Sequence, residues 1–401
     1  MSTPEVEKPN VVVVGGGAAG ILIVRHLTAK LDLAKYNLVL VTATPYYTHH
    51  PACIRMLVSS AGSLEDAAQI PYDTLLTRGG KQLKCRVVVR KVVGIAEELP
   101  NGRGNGSGSG GGGRVDLEGG ESVEFSVVVL ATGCSWEGPL AFPYGTKEEV
   151  GAWVKEWKER FEKAEDIVIV GGGATGLGVT SSLIAEFAGE LRDLSQTKRI
   201  TIVHDEPLLL SNAYPDSFRK TVAKDVRRRD VAVIVDDSIS SLEISEASTI
   251  RTEKGRLLVA DLVIPCRGPR PNTDYLARLG DESIAATGHV KVIPTFQLSG
   301  HPRIFAAGDI VDWDEQKQAE KYGAHADVVV KNVLDILRGK QPNALYRGCY
   351  ESITIANGKS GGNTYYSFWG PELQFGDLVS TAKKSKSLKV HSTRRQLRLI
   401  V

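Results

Sequence analysis

One pattern occurs twice in this chain and constrains it more than any other feature. Val11 to Gly20 reads VVVVGGGAAG, and Asp166 to Gly176 reads DIVIVGGGATG; each is a β-branched run entering three spaced glycines. Four consecutive valines suit a strand buried on both faces, as in a parallel sheet. Of the first glycine set, Gly15 allows a tight turn and Gly17 lets a diphosphate approach the backbone. Gly20 brings the next helix close to the strand. Ile21 to Leu31 reads as that helix, and its free N–H groups and positive end would receive the diphosphate, with Ala19 among the binding residues. Gly171, Gly173 and Gly176 repeat the arrangement. Two copies imply two dinucleotide-binding domains, for two nucleotides or for one flavin and one nicotinamide. The expected fold class is α/β, with two Rossmann-like domains and a small C-terminal α+β region.

The second strand of each unit bears on the ribose. In the first unit NLVLV (37–41) ends at Thr42, where dinucleotide folds usually carry an acid, so the ribose contact is weak. In the second, Arg199 to Val203 ends at His204, Asp205 and Glu206. A carboxylate there favours free ribose hydroxyls and tilts the choice to NADH, although His204 could receive a 2′-phosphate, so NADPH stays open. Three further stretches invite ligands. Leu257 to Ile264 reads as a strand running into Pro265 to Thr273, PCRGPRPNT, where Gly268 admits close approach. Phe125 to Leu130 is a strand ending in Ala131-Thr132-Gly133. Ile304 to Asp309, IFAAGD, ends a strand in Gly308-Asp309; that aspartate suits a hydroxylated ligand or a helix cap.

Composition excludes several classes. The chain has 401 residues, 42% hydrophobic and 24% charged, enough for two or three domains. Its longest apolar run is broken by glycines and too short to span a bilayer. MSTPEVEKPN resembles neither a secretory signal nor a transit peptide, so the expected location is cytoplasmic, with membrane association open. Cys53, Cys85, Cys134, Cys266 and Cys349 are widely spaced and form no C-x-x-C motif. His49 and His50 lack a third ligand at useful spacing, so no metal is expected. Asn101 to Arg114, NGRGNGSGSGGGGR, reads as a floppy hairpin tip. The net charge of +2 hides a tail, Lys383 to Val401, with seven Lys or Arg and no acid. That tail reads as solvated and disordered or as a contact with a membrane surface, with nucleic acid unlikely.

The ordered set Gly15-x-Gly17-x-x-Gly20, Ala131-Thr132-Gly133, Gly171-x-Gly173-x-x-Gly176, Gly268-x-Arg270-Pro271 and Gly308-Asp309 resembles flavoproteins of the glutathione-reductase structural class. Lys317-x-Ala319-x-x-x-Gly323-x-His325-Ala326 and the helix through Asn332 resemble its AMID branch, the apoptosis-inducing-factor-like and ferroptosis-suppressor-type NAD(P)H:quinone oxidoreductases. The resemblance implies an FAD-binding domain at 1–147 and 275–340, an NAD(P)H-binding domain at 148–274 and a C-terminal region at 341–401. It implies FAD on the first glycine set, Thr132, Gly133 and Asp309, with Arg55 and Val92 lining that site. It implies NADH or NADPH on the second set, and Lys317 as the catalytic cation, at a helix start facing the flavin ring. The implied activity passes hydride from NAD(P)H through FAD to a quinone or similar acceptor. A small redox protein as acceptor, or slow nucleotide sensing, remain alternatives, and oligomeric state stays open. Two departures stand out. Leu177-Gly178 replaces the family's Val-Glu, leaving Glu186 two turns on, and Cys53 has no partner five residues on, which disfavours a thiol relay.

Overall fold

The computed structural model describes residues 8–59, 64–78, 81–98, 111–172, 180–368 and 370–397. Strand β1 (Asn10–Val14) sits inside a six-stranded sheet. It pairs in parallel with β2 (Asn37–Thr42) on one side and with Val127–Leu130 on the other. Arg86–Val89 extends the sheet beyond β2, and His301–Ala306 and Gln297–Leu298 extend the opposite edge. All four valines of β1 are buried, each worth about 1.5–3 kcal/mol, in a core shared with Ile95, Val115 and Phe125 of a separate three-stranded sheet. Helix α1 (Ala18–Lys30) returns over the sheet and packs on the helix Tyr322–Leu337. The stretch 275–340 thus rejoins the first sheet.

A second, four-stranded parallel sheet runs in the order Val231–Ile234, Arg199–His204, Asp166–Gly172, Leu262–Arg267. Helix Lys147–Lys163 leads into it, opened by a capping box in which Thr146 and Glu149 satisfy each other's backbone N–H. Helix Thr180–Leu194 follows the second fingerprint strand. The C-terminal region holds three antiparallel strands, Glu351–Ala356, Gly362–Ser367 and Glu372–Phe375.

Three expectations need correction. Leu257 to Ile264 is not one strand: Leu257–Val259 pairs with Thr249–Arg251, and Leu262–Arg267 joins the sheet. Asp261 makes the break, its Oδ2 accepting the N–H groups of Glu165 and Asp166 at 3.0 Å each. The expected floppy segment ends earlier than Arg114. Its last residues enter strand Gly112–Leu117, which pairs with Val92–Glu98 and Ser122–Phe125; residues 101–110 lie outside the described residues. The basic tail, as far as residue 397, is folded. Leu388 and Leu397 are buried, Lys384 pairs with Glu186, and Lys389 pairs with Glu320. The scan for helical period missed this because the segment packs by two apolar anchors and ion pairs rather than by a continuous stripe.

Candidate functional site

The turn after β1 is built by steric exclusion. Gly15 has φ +106°, and a Cβ there would overlap the Ala131 carbonyl; a Cβ on Gly20 would overlap the carbonyl of Gly15. These two glycines let strand, turn and helix close together. Gly17 differs: a Cβ there would meet nothing within 4 Å. It is the N-cap of α1, and no side chain caps that helix or places an acid in its first turn. Open space beside uncapped N–H groups and a positive helix end fits a diphosphate.

Around this cradle the chain brings distant segments together. Ala307 N–H donates to Leu130 O at 2.9 Å, which sets the Gly308 turn beside Ala131. Gly308 has φ +82°, and a Cβ there would stand 2.8 Å from Ala19 Cβ. Thr132 Oγ1 donates to Asn272 O at 2.8 Å, and Asn272 Nδ2 donates to Thr132 O at 3.0 Å, fastening the Ala131-Thr132-Gly133 turn to the return from the second sheet. Gly133 is left-handed with open space at its Cα. Half-buried Asp309 accepts a hydrogen bond from the Tyr322 hydroxyl. Gly268 lies between Leu262–Arg267 and the short strand Arg270–Pro271, which pairs with Cys134–Ser135.

Behind Gly308 runs a buried polar string. Gly308 N–H donates to His325 Nδ1 at 3.2 Å, so that nitrogen is the acceptor and His325 Nε2–H donates to Glu315 Oε1 at 2.9 Å. Tyr346 donates to Glu315 Oε2 at 2.6 Å. Lys321 lies 3.8 Å from Glu315 Oε2 and bonds Glu351, which reaches the surface. Burial alone would push Glu315 up, but His325, Tyr346 and Lys321 outweigh it and hold its carboxyl below the usual range. Lys317, expected at the start of a helix, precedes the 3₁₀ turn Ala319–Lys321, and its Nζ donates to Trp313 O at 2.8 Å. Burial lowers its ammonium pKa, with Glu315 and Asp309 pulling the other way.

Three residues expected around the first nucleotide have the following partners. Thr42 is buried, its hydroxyl shared with Thr44 O and the Tyr72 hydroxyl at 3.3 Å each, and Tyr72 donates to Gly16 O at 2.9 Å. Arg55 points to the second domain, where both prongs of its guanidinium meet Glu190. Val92 is half-buried at the start of strand Val92–Glu98, in the separate three-stranded sheet with Gly112–Leu117 and Ser122–Phe125. Tyr72, Glu315 and Tyr322 escaped the sequence reading. Only the polar spacing of EQKQAEKYGAH hinted at the last two, and nothing marks Tyr72.

In the second unit, Gly171 is opposite His204 across the strand pair, and a Cβ on it would overlap Ile184. Gly173, Gly176 and Leu177-Gly178 lie outside the described residues. His204 is buried with neither ring nitrogen hydrogen-bonded, and Asp205 Oδ1 stands 3.6 Å away. Burial lowers its pKa, with Asp205 and Glu206 opposing, so the ring is neutral at physiological pH. An orphaned polar ring at the carboxyl end of this strand fits a hydroxylated nucleotide. Glu186 is taken up by Lys384 and by the N–H of Ala356.

Residues 9–366 match the family of pyridine nucleotide-disulphide oxidoreductases. The chain belongs to that family. Like its other members it is an NAD(P)H-linked flavoprotein oxidoreductase, with FAD and a nicotinamide nucleotide as its cofactors. An FAD-dependent oxidoreductase of Flammulina velutipes, FVFD30, is 38% identical over 339 residues, covering 84% of this chain and 98% of that protein. Ferroptosis suppressor protein 1 of Taeniopygia guttata is 29% identical over 96% of this chain and 95% of its own length. Apoptosis-inducing factor homolog B of Dictyostelium discoideum is 27% identical, with 95% of each chain covered. Among solved structures, the sulfide:quinone oxidoreductase of Aquifex aeolicus shares the fold at TM-score 0.73 and 16% identity, over 97% of this chain and 91% of that one. When bound, FAD in such a fold accepts an electron pair as hydride and releases it to an acceptor. The residues here fit that group: Gly15 and Gly20 shape a turn that would hold its diphosphate, Gly17 leaves the turn open, and Tyr322 donates to the Asp309 carboxylate.

Proposed function

We propose that this oxidoreductase takes hydride from NADH in preference to NADPH and delivers the electrons to a small quinone-type acceptor. The balanced reaction is NADH + H⁺ + quinone → NAD⁺ + quinol, so each turnover draws one proton from solvent. The observation that carries the acceptor is the buried titratable string Glu351–Lys321–Glu315–His325, which leads from the surface to the residue beside Asp309. An iron–sulfur protein would take electrons alone, and each turnover would then release a proton rather than draw one. The five cysteines support the same reading. All are free, and burial pushes the thiols of Cys53 and Cys85 up to about 12, far from the thiolate a disulfide relay needs.

The nucleotide preference follows from His204 and Asp205. A neutral ring and a carboxylate accept ribose hydroxyls and offer no cation to a 2′-phosphate. The nearby Arg219 is occupied by the carbonyls of Leu208, Leu209 and Leu210 and by Asp216.

Anaerobic mixing tests both parts. NADH should bleach the flavin faster than NADPH, and a water-soluble short-chain quinone should restore its colour within seconds. Equal bleaching by the two nucleotides overturns the preference; reduced flavin that persists in quinone overturns the acceptor.

A further inference from the structure

The C-terminal sheet turns the usual alternation inside out. Tyr365, on the inner face, packs on Tyr214 and Phe218 with ring centroids 5.7 and 5.3 Å apart. The two polar residues of the edge strand Glu372–Phe375 follow it inward. Gln374, opposite Tyr365, donates to Ser217 Oγ at 2.9 Å, and the Glu372 carboxylate lies against the Tyr365 hydroxyl. Its two apolar residues therefore face outward: Leu373 opposite Tyr366, and Phe375 opposite Thr364. Around them a ribbon of rings continues. Tyr350 stacks on Phe368 at 5.3 Å, Phe368 on Tyr366 at 5.5 Å, and Tyr366 meets Phe375 edge-on at 6.3 Å. Leu378 follows at 90% exposure, with Val379 beside it.

Lys383 lies over the Tyr366 ring, 4.1 Å from its centroid, and Lys386 is exposed. The neighbouring carboxylates are exposed but partnered: Glu372 lies against the Tyr365 hydroxyl, and Asp377 accepts Gly362 N–H at 2.9 Å and meets Arg228 at 3.4 Å. An apolar layer beneath anionic headgroups answers both the rings and the lysines.

The geometry points to this face, Tyr350, Tyr366, Phe368, Leu373, Phe375 and Leu378 with Lys383, as a docking surface for an anionic lipid bilayer. No helix among the described residues is long and apolar enough to cross a membrane, so the attachment is peripheral. Tyr350 precedes Glu351, the outer end of the titratable string. On the quinone reading above, docking brings the chain to the phase that holds an apolar acceptor. Of the basic tail, Lys383 belongs to this face, whereas Lys384 and Lys389 are committed to Glu186 and Glu320.

Sedimentation of the FAD-loaded full chain with quinone-free vesicles tests the docking independently of the acceptor. Phosphatidylcholine vesicles carrying phosphatidylserine should pull the protein down, more weakly as salt rises. Leu378→Glu, a change at a side chain that packs on almost nothing, should weaken binding severalfold. Leu373→Glu with Phe375→Glu and Leu378→Glu should weaken it by about tenfold or more. Flavin content and bleaching by NADH should stay at the level of the unmodified chain in Leu378→Glu. A chain that remains in the supernatant, or variants that sediment as well as it does, overturns the proposal. So does a chain that elutes as a dimer, becomes monomeric in the triple variant and never binds vesicles, since the face is then an interface between copies.

Discussion

Arg55 and Glu190 join the two nucleotide-binding units through a two-pronged ion pair, Nε to Oε2 at 2.8 Å and Nη2 to Oε1 at 2.6 Å. Arg55 belongs to the helix Cys53–Val58 of the first unit, Glu190 to Thr180–Leu194, the helix that follows the second fingerprint. The same guanidinium donates to Ser385 O at 2.6 Å and Lys386 O at 3.3 Å, so the C-terminal segment closes over the pair. Both side chains are buried, and burial pushes Glu190 up despite Arg55.

Removing one partner of a buried pair leaves an uncompensated charge. Arg55→Ala should therefore cost about 3–5 kcal/mol in urea unfolding. Glu190→Gln keeps an acceptor, and the two carbonyls remain, so it should cost less, roughly 1–3 kcal/mol. Equal losses would show that the carbonyls contribute nothing.

The glycines of the first turn should separate folding from flavin binding. Gly20→Ala forces an overlap with the Gly15 carbonyl and should lower the melting temperature of the flavin-free protein. Gly17→Val enters open space and should leave that melting temperature nearly unchanged while FAD affinity falls by about tenfold or more, because the branched side chain occupies the diphosphate's approach. Isothermal titration of the apoprotein with FAD measures the second effect, and unchanged affinity would remove Gly17 from the cradle.

Mild acid should loosen the C-terminal segment. His49 Nε2 lies 2.8 Å from Leu388 O, and burial lowers the His49 pKa to about 4 from an ordinary 6.5. The unfolded chain then binds more protons than the folded one between those values. This contribution is complete above pH 6.5 and is lost as the pH falls toward 4, about 3 kcal/mol in all. His49→Gln should flatten the fall of stability across that window, and proteolysis after residue 380 should speed up there only in the unmodified chain.

Glu315 should separate the two half-reactions. Glu315→Gln keeps the hydrogen bonds' shape but removes the charge between His325 and Lys321. Flavin reduction by NADH should change little, while reoxidation by quinone should slow by about a hundredfold or more, in the range of a lost proton-transfer group. Stopped-flow traces of both steps check this; equal slowing would make Glu315 a structural residue alone.

Both sheets were legible because their signals are local. The valines before Gly15 and the glycine spacing state strand, turn and helix within ten residues, and buried parallel strands have no other apolar composition. The site's second layer was not legible, because its members meet only through the fold. Tyr72 reaches Gly16 across 56 residues and Arg55 reaches Glu190 across 135. Arg55 illustrates the difference: as a sequence position it stood near the flavin, and tertiary pairing turned it to the other domain. The C-terminal tail was not legible for a related reason, since the five-residue spacing between its pairing lysines, Lys384 and Lys389, carries no periodic signal and their acids, Glu186 and Glu320, lie elsewhere in the chain.

Proton accounting tests the central claim most directly. With NADH and a water-soluble quinone in weakly buffered indicator solution, turnover should take up one proton for each NADH oxidised. The same protein turning over with ferricyanide should release one. Uptake that matches the quinone consumed supports a quinone reductase; NADH oxidation that proceeds with ferricyanide but not with any quinone would contradict it.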